Sequence, residues 1–335
     1  MRKYIQNNTF LPPFPWFGGK KAVASVVWDA LGDVSYYAEP FFGGGAVLFL
    51  RPENHSRYYE IVNDINGYVA NFWRAVKHDP EGVAYYANNP INEIDLTARH
   101  IWLVNKGKEH IERLFGDPDY YDVKVAGWWV WGISCWIGSE WCFGEGRWTS
   151  VNGRLTELSK EIEKANAATS DHLNNKLSGV SRRRPSLTSR QGIIARARNY
   201  NLAEYLSDIA ERLKDVFVCC GDWSRIVTKG ALYKGKTVGV FLDPPYDISV
   251  RANNLYSSDR DYPSVSKEVE KWCLENGDNP RYRIVLAGYE GEHEMPDTWR
   301  VYKWASSRAY GTSSGNNKNS ENRYKERLWI SPHCL

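Results

Sequence analysis

The fold is decided by the stretch YYAEPFFGGGAVLFL at residues 36–50. An aromatic run comes first, three glycines follow, and an apolar segment completes the stretch. This order predicts a strand, a tight turn and a helix, because aromatic residues favour strands and glycine adopts backbone conformations closed to other residues. A second strand, predicted over residues 57–62, ends on Asn63 and Asp64, and apolar positions spaced for a helix follow it within residues 69–76. Strands and helices in alternation predict a parallel sheet.

The last third of the chain repeats this pattern. Residues 216–220, 237–242 and 283–288 are continuous apolar runs, which are typical of strands buried on both faces. Residues 264–276 have apolar side chains at helical spacing, and residues 327–331 predict an edge strand. Together these elements predict an α/β fold with a doubly wound, mostly parallel, Rossmann-like sheet.

The middle of the chain, residues 81–200, has a different composition. Six of the 15 tryptophans lie within residues 128–148, and residues 176–198 carry seven Lys or Arg and no acid. We predict an inserted, mainly helical module here, between two parts of one domain at 1–80 and 201–335. Packing in the core of this module is the favoured interpretation of the clustered Trp128, Trp129, Trp131, Trp136 and Trp141, and stacking on bases is the alternative.

Composition excludes several classes of protein. The net charge of +3 excludes a uniformly basic, histone-like chain. No stretch approaches the roughly 18 apolar residues that span a bilayer, and the first residues lack a signal-peptide core, so we expect a cytoplasmic protein without a membrane partner. The six cysteines are too sparse for a disulfide framework and form no Cys-x-x-Cys pair. We therefore expect no metal site.

The most informative motif is Asp243-Pro244-Pro245-Tyr246, which comes directly after a predicted buried strand. Ligands of open α/β sheets bind beyond the carboxyl ends of strands, so this is where a site is expected. The prolines stiffen the turn and leave two positions without N–H. Asp243 can accept hydrogen bonds from an exocyclic amine, and Tyr246 offers a flat face to a base. A proline-rich turn without chemistry is the alternative.

The glycine turn of residues 41–45 lets the backbone pass close to a ligand. The dinucleotide fingerprint fails here because Leu48 stands where its third glycine belongs, and a phosphate loop near the start fails because Phe14 replaces its first glycine. The turn therefore suits a nucleoside without a triphosphate. Asp64 follows Gly43 at nearly the spacing at which a carboxylate binds ribose hydroxyls, although a lone acid after a strand more often caps the next helix, here the segment from Ile65.

Four motifs in one order resemble the DNA adenine-N6 methyltransferases of the Dam-like, D12 class, with the alpha-type arrangement. They are WFGGK at 16–20, FFGGG at 41–45, the acid Asp64 and DPPY at 243–246, with the insertion before the last. The resemblance covers residues from about 10 to 75 and from about 215 to 331. It implies a methyltransferase sheet and an insertion that recognises the DNA target.

The resemblance also implies roles for individual residues. The catalytic set is Asp243, Pro244, Pro245 and Tyr246. The residues implied to contact S-adenosyl-L-methionine are Trp16, Lys20, Glu39, Phe41, Gly43, Gly45, Asp64, Asp222, Trp223 and Asp243. In the insertion, a basic group is predicted to contact DNA phosphates or a guanine edge, with a disordered basic loop as the alternative. This group consists of Arg182, Arg183, Arg184 and Arg190.

The implied function is site-specific methyl transfer to the N6 amino group of an adenine flipped out of double-stranded DNA. The resemblance implies a bacterial or phage-encoded protein, acting as a monomer or weak dimer, and leaves open a cognate restriction endonuclease as a further partner. Two alternatives remain at this point. One is a cytosine-N4 or RNA amino methyltransferase, because the same motif handles any exocyclic amine, and the other is a non-catalytic DNA-binding protein with the same sheet.

Overall fold

A computed structural model describes residues 12–16, 18–117, 119–136, 141–142, 148–151, 154–157, 201–233, 236–246, 265–304 and 325–335. The chain groups into two compact units. We call the described residues of 12–15 and 66–214 the helical unit, and those of 16–65 and 215–335 the sheet unit.

The elements in chain order are α1 Ala24–Leu31, β1 Tyr36–Glu39, α2 Ala46–Phe49, β2 Tyr59–Asp64, α3 Gly67–His78, α4 Pro80–Ala87, α5 Glu93–Gly116, α6 Val123–Cys135, β3 Trp148–Val151, β4 Arg154–Glu157, α7 Leu202–Leu213, β5 Val216–Cys220, β6 Val238–Leu242, α8 Val265–Asn276, β7 Tyr282–Tyr289, β8 Arg300–Lys303 and β9 Glu326–Ile330. Short 3-10 turns form at Lys20–Ala22 and Trp223–Ile226.

The sheet unit contains a seven-stranded sheet in the order β5-β2-β1-β6-β7-β9-β8. The first five of these strands are parallel, and β9 runs antiparallel to both of its neighbours. The prediction of a doubly wound, mostly parallel sheet is therefore confirmed. The strand order reverses between β1 and β6, and such a switch point opens a crevice at the carboxyl ends of the two strands.

Burial explains why the central strands form. Every residue of β1 and β6 is buried, including the charged Glu39 that ends β1, and the unbroken apolar sequence of β6 predicts its burial. On one face of the sheet, Val240 and Leu286 share a core cluster with Val269 and Cys273 of α8. The central strands are thus held rigidly, and the loops that follow them start from fixed positions.

Two predictions about strand position are wrong. Residues 216–220 were expected to be buried on both faces, but β5 lies at the edge of the sheet and Phe217 is 52% exposed. Residues 327–331 were expected to form an edge strand, yet β9 is fully buried because β8 pairs with its outer side. The edge strand β8 is exposed along its whole length, and its mixed sequence RVYK carries no strand signal.

In the helical unit, α3 packs against α6 and α7. Asn66 caps α3 by accepting hydrogen bonds from the Tyr68 and Val69 N–H groups, so Asp64 is not the cap. The tryptophans at 129, 131 and 141 are buried, which confirms core packing for these three, and those at 128 and 136 are half-buried.

Two negative findings apply to the described residues alone. No helix there is long and apolar enough to cross a membrane. The same residues bring together no group of three or more His, Cys, Asp or Glu side chains suited to a metal ion.

Candidate active site

The candidate site lies at one edge of the sheet, where four neighbouring parallel strands end. β1 ends at Glu39, β2 at Asp64 and β5 at Cys220, and Asp243 follows β6. Parallel strands that are neighbours in a sheet all end on the same side of the sheet, so their carboxyl ends lie together. Residues scattered over more than 200 positions of sequence are therefore neighbours here.

The glycine turn has the backbone that only glycine adopts easily. Gly43 and Gly45 have φ values of +46° and +70°. The Gly43 N–H donates to Asp64 Oδ2 at 2.8 Å, and a Cβ atom on Gly43 would lie 2.2 Å from Trp16 Nε1. The predicted residues Trp16, Gly43 and Asp64 are thus brought into one contact group.

Asn63 joins three of the strand ends and was not predicted as a site residue. Its buried Nδ2 donates to the carbonyl of Pro40 at 3.1 Å and to that of Gly221 at 2.9 Å. The main-chain carbonyl of Asn63 accepts a hydrogen bond from the Phe42 N–H at 2.9 Å. The sequence signal was a polar residue at the end of an apolar strand. This side chain holds the turns after β1 and β5 against the end of β2.

Trp223 and Phe41 form an aromatic wall beside this group. Their rings stack with centroids 6.1 Å apart. Trp223 is 6% exposed, and its Nε1 has no hydrogen-bond partner in the described part of the chain. Asp222 is exposed, and its carboxylate accepts from the Ser224 N–H at 2.9 Å, which caps the 3-10 turn that carries Trp223. Asp222 therefore supports the turn that carries Trp223.

Glu39 is buried at the end of β1. The Tyr37 hydroxyl donates to Glu39 Oε2 at 2.8 Å, and the Leu48 N–H also bonds to this carboxyl group. Burial raises the pKa of Glu39 to about 8, and the nearby charge of Asp243 raises it as well. Glu39 therefore ties β1 to α2 across the glycine turn.

Asp243 forms an ion pair with Lys20 at the start of the DPPY turn. The Lys20 Nζ lies 2.8 Å from Asp243 Oδ1, and the side chains are 3% and 20% exposed, respectively. Lys20 also donates to the Gly18 carbonyl at 2.6 Å. Burial raises the pKa of Asp243, whereas Lys20 acts in the opposite direction. The pair places a carboxylate at the switch point and keeps it close to a cation.

Tyr246, at the end of the same turn, is held on several sides. Its hydroxyl donates to Glu326 Oε2 at 2.9 Å. Its ring meets Tyr289 edge-on, with centroids 4.5 Å apart, and the Lys20 Nζ lies 5.2 Å from its centroid. Pro244 is buried and Pro245 half-buried.

Sequence reasoning missed Glu326 and Tyr289, because β9 was predicted to begin one residue later and β7 to end one residue earlier. The predicted DNA contacts Arg182, Arg183, Arg184 and Arg190 lie outside the described residues.

Comparison with known proteins identifies the family of this chain. The model of the D12 class N6 adenine-specific DNA methyltransferase family matches residues 16–273. The type II methyltransferase M.MjaIII of Methanocaldococcus jannaschii is 35% identical over 74 residues, which make up 20% of this chain and 26% of that protein. This alignment spans about a quarter of the relative's length. The family match covers both the glycine turn and the DPPY turn, and the chain belongs to the D12 class of N6 adenine-specific DNA methyltransferases.

Proposed function

We propose that this protein transfers a methyl group from S-adenosyl-L-methionine to the N6 amino group of an adenine flipped out of duplex DNA. The observation that carries the proposal is the Asp243–Lys20 ion pair beside the glycine turn at the switch point of the sheet. Family membership supports the same reaction.

The residues at the strand ends fit S-adenosyl-L-methionine, which supplies the methyl group when it is bound. The positive φ of Gly43 allows the backbone to approach a ligand. Asp64 places a carboxylate, suited to ribose hydroxyls, at the end of β2. Trp223 adds an aromatic face and a buried indole N–H without a protein partner among the described residues. We assign the remaining cofactor contacts to Trp16, Lys20, Glu39, Phe41, Gly45, Asp222 and Asp243.

The DPPY turn is suited to hold the adenine. An adenine in a duplex cannot reach such a site without being flipped out. The Asp243 carboxylate and the Pro244 carbonyl can accept hydrogen bonds from the two N6–H groups, which aligns the nitrogen lone pair for attack on the methyl group. The methyl–sulfur bond would break as the new C–N bond forms, and the surplus N6 proton would leave to solvent. The Tyr246 ring can stack on the base. Lys20 stabilises the charged form of Asp243, which is the better acceptor. Catalysis then rests on positioning and electrostatics, without a covalent enzyme intermediate.

The basic segment of the insertion is proposed to contact the DNA. Residues 176–198 carry seven cations and no acid, and this charge is suited to the phosphate backbone. A restriction–modification role in the cytoplasm, with a cognate endonuclease, is part of the proposal; the name of the M. jannaschii relative, a type II methyltransferase, fits the methyltransferase half of such a system.

Transfer of labelled methyl groups to mixed-sequence duplex DNA tests the proposal. Wild-type protein is expected to label DNA, whereas Asp243→Ala is expected to abolish labelling because it removes the acceptor at the reacting nitrogen. Asp297→Ala, which changes an exposed aspartate of the same unit, is the matched control and should retain the wild-type rate. Failure of the wild-type protein to label DNA, or full activity of Asp243→Ala, would contradict the proposal.

A further inference from the structure

The carboxyl group of Glu326 lies behind the DPPY turn and contacts it directly. Glu326 is the first residue of β9 and is 5% exposed. Its Oε2 accepts a hydrogen bond from the Tyr246 hydroxyl at 2.9 Å, across 80 residues of sequence. The tip of the tyrosine is therefore anchored to the sheet, and its side chain also hydrogen-bonds to Asp243 of its own turn.

The same pair of strands also holds the ring of Tyr246. Glu326 is the cross-strand partner of Tyr289 in the β7–β9 ladder. Tyr289 packs edge-on against the Tyr246 ring, with centroids 4.5 Å apart and planes inclined by 63°. Since one contact holds the hydroxyl and another holds the ring, the direction that the ring faces is determined.

Burying the carboxyl group of Glu326 costs desolvation free energy. Burial raises the pKa of Glu326, the charge of Lys20 lowers it, and the carboxylates of Asp243 and Glu292 raise it. The neighbouring Arg327 guanidinium donates to the Glu326 main-chain carbonyl at 2.8 Å and pairs with Glu290. An apolar side chain would provide packing without the desolvation cost of the acid. The acid adds the hydrogen bond to Tyr246 and an attraction to the charge of Lys20.

We infer that Glu326 is a positioning residue, which fixes the ring of Tyr246 in the orientation that stacks on the flipped adenine. The inference rests on the proposed function, which gives Tyr246 that stacking role. The direct contact of Glu326 within the site is the Tyr246 hydroxyl, whereas Lys20 and Asp243 interact with it through charge; the Gln variant keeps the acceptor and removes that charge.

The test compares Glu326→Ala, Glu326→Gln, Tyr246→Phe and the double variant Glu326→Ala/Tyr246→Phe in methyl transfer to mixed-sequence duplex DNA. Glu326→Ala should lower kcat by about a hundredfold, because small misplacements of a positioning group have effects of this size. The KM for S-adenosyl-L-methionine should stay unchanged. Glu326→Gln keeps an acceptor oxygen and should restore most of kcat. In the Tyr246→Phe background, Glu326→Ala should add little further loss.

Glu290→Gln is the matched control. Glu290 is an exposed acid next to Tyr289, pairs with Arg327 and has no recorded contact with Tyr246. This variant should keep the wild-type kcat. An unchanged kcat in Glu326→Ala, equal losses in the Ala and Gln variants, or the same loss with and without the tyrosine hydroxyl would overturn the inference.

Urea unfolding of the single and double variants gives a readout that needs no activity. If the hydrogen bond exists, the destabilisation of the double variant is smaller than the sum of the two single effects. Strict additivity would overturn the contact on which the inference depends. An inactive wild-type protein would instead refute the proposed function, and the unfolding cycle would still report on the contact.

Discussion

Gly43→Ala perturbs the proposed cofactor site at a single atom. The new Cβ would lie 2.2 Å from Trp16 Nε1, whereas comfortable contacts begin at about 3.5 Å. The indole must therefore move by about 1.3 Å, or the turn must open by a similar amount. The left-handed backbone at Gly43 adds a cost of about 1–2 kcal/mol for any L-residue.

We expect the free energy of unfolding of Gly43→Ala to fall by about 2–3 kcal/mol. This value adds the backbone cost to a clash at the low end of the usual 1–3 kcal/mol for overpacking, because Trp16 is half-buried and can move. Urea denaturation measures this change. The affinity for S-adenosyl-L-methionine, measured by calorimetric titration, should fall by about tenfold or more, because both the turn and the indole belong to its proposed site.

Gly230→Ala is the control for both measurements. A Cβ atom on Gly230 meets open space within the same unit, so neither stability nor affinity should change. If Gly43→Ala unfolded like the control and bound S-adenosyl-L-methionine with wild-type affinity, the glycine turn would not be part of the cofactor site as we propose.

Three further predictions concern neighbouring side chains. Lys20→Met removes the cation beside Asp243, so the pKa of Asp243 should rise further, and the acidic limb of the pH–rate profile should move to higher pH; an unmoved limb would contradict this. The pKa of Glu39 is about 8 in the folded protein against an ordinary 4.5, so unfolding free energy should fall by about 1.4 kcal/mol per pH unit as pH rises between these values. Urea unfolding at a series of pH values should show a steeper fall in the wild type than in Glu39→Gln, and equal slopes would contradict this. Asn63→Leu leaves two buried carbonyls without their donor and should destabilise the protein by about 1–3 kcal/mol in the same assay. Wild-type stability would show that Asn63 does not hold the turns after β1 and β5 against β2.

The central strands and the turns after them could be predicted because their signals are local. The backbone freedom of the glycines at 43–45 predicts the turn, and the apolar run before Asp243 predicts a buried strand. The edges of the sheet could not be predicted in this way. Whether β9 or β8 is the outer strand depends on pairing with the short, charged segment Arg300–Lys303, which has no strand pattern of its own.

The contacts within the site depend on partners that are distant in sequence. Asp64 was open to a helix-cap role, and its observed partner is the Gly43 N–H, 21 positions earlier. Glu326 reaches Tyr246 over 80 positions. No periodicity or motif encodes such a pair, because it exists only once the strand order is set.

The most direct test of the central claim is the identity of the methylated nucleoside. Duplex DNA of mixed sequence is incubated with the protein and S-adenosyl-L-methionine, digested to nucleosides and analysed by mass spectrometry. The account predicts N6-methyladenine from the wild-type protein and none from Asp243→Ala. N4-methylcytosine as the product, or no methylated base at all, would contradict it.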